Sequence, residues 1–381
     1  MFASSMTQTI RSEPSTTILV PHNDAFTSLG LLTSYLLLPE ADARKALRSV
    51  LKHHVLKRVV YAERLGPKAV NEYKTVEGSK VIIQGLDVTA SGTWNITSGL
   101  LPVDALTQTG VVHELRDVLL PSSLRVNIRD LARAAKGNTM VNLIERAGLG
   151  RLLNGTLTYR DIGDLDDWKR THRREPKVGS LEWNISLPSP GWTLLCPTDS
   201  AFKRVNLTHL LDDLPALRRL VLQHIIPTPP PPSTLHFAQP LPFGDDATFT
   251  SLLSPDSLHA DIIFRKIKGK KTILGIRGAR GTDGETDYAT VLDFGRTTAV
   301  VNGGLPGTRS GVVQIDRVLE PWVPGWWMAW GQAVIAGIGS GFGIIAFWGA
   351  VLYFWRRKKE EATYEPLDGE GTGEEEVDPT A

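Results

Sequence analysis

Three short segments occur twice in this chain, in the same order, and that recurrence limits its architecture more than any single motif. TTILVPHNDAFTSL at 16–29 returns as GWTLLCPTDSAFKRV at 191–205, with Pro21 matching Pro197 and Phe26 matching Phe202. Each reads as a buried strand that stops at proline, then a polar turn, then Ala-Phe opening a helix. Asp24 and Ser200 stand just ahead of Ala-Phe and suit a helix N-terminus. LRSVLKHHVL at 47–56 returns as LRRLVLQHII at 217–226, each an amphipathic helical pattern running into histidine. GVVHELRDVLLP at 110–121 returns as GVVQIDRVLEP at 311–321, an alternating strand between glycine and proline. The offsets run from 170 to 201 residues, so insertions separate the copies. The pattern predicts two copies of one domain that mixes strands and helices.

The TxLxPxxxAF box, the leucine-rich helix ending in His54 or His224, and the closing GVV segment together resemble the fasciclin-like domain family. The resemblance covers nearly all of residues 16–321, and the second copy follows the pattern more closely, because His22 stands where the family usually has Thr. It implies an α+β fold of two tandem fasciclin-like domains, 1–122 and 123–322, each a β-sandwich or wedge with flanking helices. It also implies adhesion or tethering rather than catalysis, with a protein, glycan or lipid as the unidentified ligand. Family domains usually begin with helices ahead of the first box. In the second copy Asn127–Lys136 and Thr139–Ala147 read as those helices, closed by Gly137 and Gly148. Only fifteen polar-leaning residues precede Thr16, so the sequence leads us to expect leading helices and a signal peptide upstream of Met1.

The copies are followed by 321–355, a run without a charged residue. A bilayer core of roughly 30 Å needs about 20 apolar residues in a helix, so the run predicts a transmembrane helix, placed at 326–355. Six of the ten Trp lie between Trp322 and Trp355, as interfacial belts would place them. Arg356–Lys359 follow at once and predict a cytosolic C-terminus, with residues 1–320 extracytoplasmic: a single-pass type I protein. Gly337, Gly339, Gly341 and Gly343 carry the small-xxx-small spacing of helix pairs and admit a homodimer. The tail, 356–381, holds four cations and nine carboxylates and predicts disorder. Tyr364 and Leu367 within it fit the Tyr-x-x-apolar form that sorting adaptors take as an extended peptide. The tandem pair, single span and acidic tail most resemble fungal membrane-anchored family members. That resemblance implies the vacuolar membrane ahead of the plasma membrane, with a role in vacuole fusion during autophagy. A cargo or sorting receptor working through the tail is the alternative.

Four sequons, at Asn95, Asn154, Asn184 and Asn206, fall on the expected extracytoplasmic side and make a glycoprotein the expectation. The chemistry-bearing patterns are otherwise sparse. His53 and His54 are adjacent and point about 100° apart on a helix, which disfavours a metal pair and favours a structural role for His54 and His224. Cys196 is a lone cysteine in an apolar strand and reads as core. Asp245-Asp246 and Asp283–Asp287 lack calcium-loop spacing, and Gly275–Gly284 lacks a phosphate-loop ending. Tyr159–Pro190 reads as a charged surface insertion, and 227–232 as a stiff connector. A net charge of +1 argues against a nucleic-acid partner. No cofactor, metal or enzymatic activity is expected.

Overall fold

The computed structural model describes residues 15–66, 70–90, 97–108, 110–157, 191–228, 244–254, 260–267, 271–277, 288–300, 309–321 and 348–357, with positions 8 and 13. Both copies lie in one compact unit, Met1–Trp322, and Val323–Ala381 forms a second.

The first copy runs β1 (Thr16–Pro21), α1 (Asn23–Ser28), α2 (Leu31–Leu36), α3 (Ala41–His53), β2 (Val55–Leu56), β3 (Val70–Lys74), β4 (Lys80–Gln84), β5 (Asp87–Ala90), β6 (Thr97–Leu106) and β7 (Gly110–Leu115). The second begins with α4 (Ile128–Ala134), α5 (Asn138–Arg146) and α6 (Gly150–Leu153). It continues through β8 (Trp192–Pro197), α7 (Leu207–Asp212), α8 (Leu214–Gln223), β9 (Ile225–Pro227), β10 (Ala247–Phe249), β11 (Ile262–Ile267), β12 (Lys271–Ile276), β13 (Ala289–Val300) and β14 (Arg309–Ile315). The strand orders are β2-β1-β7-β6-β5-β4-β3 and, read from the matching end, β9-β8-β14-β13-β12-β11-β10. The two sheets therefore have one topology, and the repeat is structural as well as sequential. Among the described residues, the parallel pair in each sheet is the second from one edge, β1 with β7 and β8 with β14.

Strand registers correct one sequence expectation. Pro21 pairs with Leu115 and Pro197 with Ile315, so the closing strands correspond at an offset of 200, not 201. Gly110 thus matches Ser310, His113 matches Val313, and no gap separates the copies through Pro121 and Pro321. A one-residue slip would exchange the faces of the strand, so packing decides where letter identity misleads. Asp24 and Ser200 both stand at helix N-termini, as expected, but neither makes a side-chain cap bond. Helix α1 starts at Asn23 with His22 as its cap residue and Asp24 inside its first turn. Ser200 makes no cap bond, and its hydroxyl pairs with Thr198 Oγ1 at 2.9 Å. The matching polar residue Asp199 does the capping instead: Oδ1 accepts from Thr139 N at 2.7 Å, at the start of α5. Helix α4 carries a capping box, Asn127 and Asp130 exchanging two bonds of 3.0 Å.

Alternation along the strands sorts side chains between two kinds of core. Leu19, Val81, Ile83, Val88, Leu100 and Leu115 fill the wedge of the first sheet. Leu195, Ile262, Phe264, Leu274, Val313 and Ile315 fill that of the second. The third cluster runs through both copies: Leu31, Leu32 and Leu36 of α2 share it with Leu131 of α4, Met140 and Ile144 of α5, and Leu194 of β8. Two glycines permit the close approach. A Cβ on Gly30 (φ +54°) would meet the Phe294 carbonyl oxygen of β13, and one on Gly295 would strike Leu31. Thr298 completes the joint. Its hydroxyl accepts from Val126 N at 2.6 Å and donates to Leu124 O at 2.9 Å, while its own N–H donates to Val126 O at 3.0 Å.

The copies differ in what covers their long helices. Leu217 and Val221 of α8 are fully buried beside α5, where Arg218 Nε donates to Ala147 O at 3.1 Å. Leu47 and Leu51, which match them on α3, are only half-buried.

The transmembrane expectation falls largely outside the described residues. Among those residues no helix is long and apolar enough to cross a membrane. Residues 348–357 are helical and exposed, including Trp348, Leu352, Tyr353, Phe354 and Trp355.

Two substitutions test the joint. Thr298→Val keeps the shape but leaves Val126 N and Leu124 O buried without a partner, costing about 2–4 kcal/mol. Gly30→Ala combines a left-handed backbone with a clash against Phe294 and costs at least about 2 kcal/mol. Denaturant unfolding of the full chain measures both, and midpoints unchanged from wild type would refute the joint.

Candidate functional site

The histidine that ends each repeated helix makes the same two-sided bridge in both copies. His54 Nδ1 lies 2.8 Å from Val50 O, one turn back, and its Nε2 accepts from Leu119 N at 3.0 Å. His224 repeats this with Leu220 O at 2.8 Å and Leu319 N at 3.0 Å. Each imidazole thus joins the end of a helix to the segment that closes the sheet. The tautomer follows from the partners: Nδ1 donates to a carbonyl, and Nε2 accepts from an amide. Both nitrogens are occupied, so neither ring offers a lone pair to a metal. Burial holds both histidines down at about 4. His53 is held at about 4 as well, by burial first and by its neighbour His54 second. Its Nδ1 lies 2.6 Å from Ser79 Oγ, in a polar cluster where Glu77 also accepts from Ser123 Oγ at 2.6 Å. The rings of His53 and His54 meet edge-on at 6.3 Å, so they diverge as the helical spacing requires.

These bridges set a pH dependence. A histidine buried neutral contributes stability above its ordinary value of 6.5 and loses that contribution as pH falls through the folded value of about 4. Each bridge should lose roughly 2 kcal/mol between pH 7.5 and 5. His54→Gln should lower stability at pH 7.5 and flatten the fall below pH 6.5. Urea titrations at the two pH values measure this, and equal slopes for wild type and variant would reject the assignment.

Cys196 is a core residue. It is fully buried, burial pushes its thiol up, and its sulfur occupies the space that a Cβ on Gly137 would need. Among the described residues no group of three or more His, Cys, Asp or Glu could hold a metal ion.

Two of the four sequons lie in described segments, and both asparagines are exposed. Asn154 ends α6. Asn206 caps α7, its Oδ1 accepting from His209 N at 3.3 Å, so the amide nitrogen that a glycan would take is not the capping atom. Asn95, Asn184, Gly337, Gly339, Gly341, Gly343, Tyr364 and Leu367 lie outside the described residues, as does all of Tyr159–Pro190. The capping role of Asp199 and the linker bond of Thr298 were not read from the sequence. The repeat alignment signals the first, since Asp199 replaces Asn23 in the copy that has leading helices. Nothing local signals the second.

The family model described as "Fasciclin domain" matches residues 2–121, which is the first copy. Transforming growth factor-beta-induced protein ig-h3 of Sus scrofa is 30% identical over 156 residues, 40% of this chain and 21% of that protein. Its counterpart in Oryctolagus cuniculus is 29% identical over the same length and shares. The chain therefore spans about a fifth of the length of these relatives. Among solved structures, a FAS1 domain pair from the insect cell adhesion molecule fasciclin I is aligned over 83% of this chain and 92% of its own, at 13% identity and a TM-score of 0.30. Residues 2–121 thus match the fasciclin domain, the family that the repeated segments resemble.

Proposed function

We propose that this chain is a non-enzymatic, single-pass type I membrane glycoprotein whose two fasciclin-like copies serve adhesion or tethering. The observation that carries the reading is the fasciclin domain at residues 2–121, joined through a shared core to a second copy of the same topology. A surface made of two copies locked together presents a fixed spacing of loops, which suits a tether better than two independently moving modules do. The membrane part draws support from helix 348–357, which exposes Trp348, Val351, Leu352, Tyr353, Phe354 and Trp355 on all sides. A helix that is apolar all round requires an apolar surround. The exposed Asn154 and Asn206 suit glycan attachment on the side opposite the tail. Delivery to the vacuolar membrane through Tyr364 and Leu367 belongs to the same proposal, with the plasma membrane as the destination when that motif is lost.

Expression of the full chain with a C-terminal tag tests the proposal. Removal of N-glycans should speed its migration on a gel, and Asn154→Gln with Asn206→Gln should shrink that shift. Cells carrying the chain at their surface after Tyr364→Ala should aggregate more than cells without it. A chain unaffected by glycosidase would refute the topology, and unchanged aggregation would refute adhesion.

A further inference from the structure

Helix α3 of the first copy carries a line of cations that its counterpart α8 lacks. Arg44, Lys45, Arg48 and Lys52 fall within an arc of about 100° around the helix, and Asp42 falls outside it. Arg44, Lys45 and Arg48 are exposed, and Lys52 is half-buried. Ala43, Val50 and His53, on the opposite side, are fully buried and fix the helix with the cations outward. From Arg44 to Lys52 the line runs about 12 Å along the axis.

The four charges are not neutralised from within. Among the described residues, no carboxylate forms an ion pair with any of them. Glu40, the cap residue of α3, stands one turn before Arg44 and does not pair with it. Glu77 reaches the edge of this face at Ser49, but its carboxylate is engaged elsewhere. It accepts from Ser49 Oγ at 3.3 Å, from Ser123 Oγ at 2.6 Å and from Ser79 N at 3.2 Å. The helix dipole favours cations in the last turn, which accounts for Lys52 but not for Arg44, Lys45 or Arg48.

The second copy shows that the fold does not require them. With His54 matched to His224, the four positions on α8 hold Leu214, Pro215, Arg218 and Leu222. Arg218 is the one cation among these, and its Nε donates to Ala147 O at 3.1 Å. Like charges four residues apart repel, so Arg44 with Arg48 and Arg48 with Lys52 each weaken the helix on its own. A cost kept on an outward face, and absent from the matching helix, is offset when an anion from outside lies along it.

We propose that Arg44, Lys45, Arg48 and Lys52 form a docking face for an acidic glycan, a chain bearing sulfate, phosphate or carboxylate groups in a row. The face is a line and not a cavity, so successive anions of an extended chain meet successive helical turns, about 5.4 Å apart. Arginine and lysine together accept all three anion types. The assignment deepens the adhesion reading above and rests on it for the side of the membrane. Anionic lipids concentrate in the cytoplasmic leaflet, so an extracytoplasmic face of this kind is better matched to a glycan than to a lipid surface.

The test is equilibrium binding of the full chain, in non-ionic detergent, to immobilised heparin and to immobilised neutral dextran. Wild type should bind heparin and not dextran, with an affinity that falls as sodium chloride rises. Arg44→Gln, Lys45→Gln and Arg48→Gln together should weaken heparin binding about tenfold or more while leaving the urea midpoint near that of wild type. Lys203→Gln, Arg204→Gln and Arg219→Gln together remove the same charge from exposed positions of the second copy and should bind as wild type does. Heparin binding needs no membrane and leaves the glycosidase shift untouched, so failure here and failure of the proposed topology are read separately. No binding by wild type, or equal losses in the two triple variants, overturns the site. Binding to vesicles of phosphatidylcholine with phosphatidylserine but not to heparin overturns the glycan and gives the face to lipid.

Discussion

A neutral imidazole at the end of each repeated helix holds its copy closed. Without it, the last turn of α3 or α8 would leave a carbonyl without that donor, and the amide of Leu119 or Leu319 would be buried with no acceptor. Either loss costs on the order of the desolvation of one polar group. A metal-binding or catalytic role is incompatible with this arrangement, since both ring nitrogens are spent. The bridge also explains why the helix runs directly into a two- or three-residue strand. Val55 and Ile225 begin those strands immediately after the histidine, and the backbone must turn where the ring is anchored.

With each copy closed in this way, their relation to one another is set by packing across the joint. Helix α2 lies against α4 and β13 only because Gly30 and Gly295 leave room for it. The linker between copies cannot swing, since Thr298 binds it at both Leu124 and Val126. Leading helices α4 and α5 thus serve two masters: they cover α8 of their own copy and receive α2 of the other. The shared core makes an acid-induced loss in either histidine bridge a loss for the whole unit.

The repeat, the leading helices of the second copy, the core position of Cys196 and the structural use of His54 and His224 were all legible in the sequence. Each depends on local periodicity or on letters that recur. The register of the closing strand was not. Matching Gly110 to Gly311 maximises identity, yet the parallel strands pair so that Gly110 corresponds to Ser310. Periodicity of two cannot distinguish neighbouring registers when both show Val-Val after the glycine. Contacts made at great sequence separation were hidden for a simpler reason. Thr298 meets Leu124 and Val126, and no local pattern near Thr298 records that. The capping role of Asp199 was not legible because the sequence shows where a cap can be, not which helix lies within its reach.

Divergence between the copies then becomes informative in a way that neither copy is alone. At equivalent points of one scaffold, the first places a buried His113 bonded to Val60 O at 2.7 Å, and the second places Val313 in an apolar wedge. One step along, the first places an exposed Leu106 and the second a half-buried Arg296. A fold that accepts leucine at that position does not need arginine there for stability. A desolvated guanidinium lowers stability unless something pairs with it. The first copy has no such group and contributes the helix that locks the two copies together. The same topology thus accepts an exposed leucine in one copy and a half-buried guanidinium in the other.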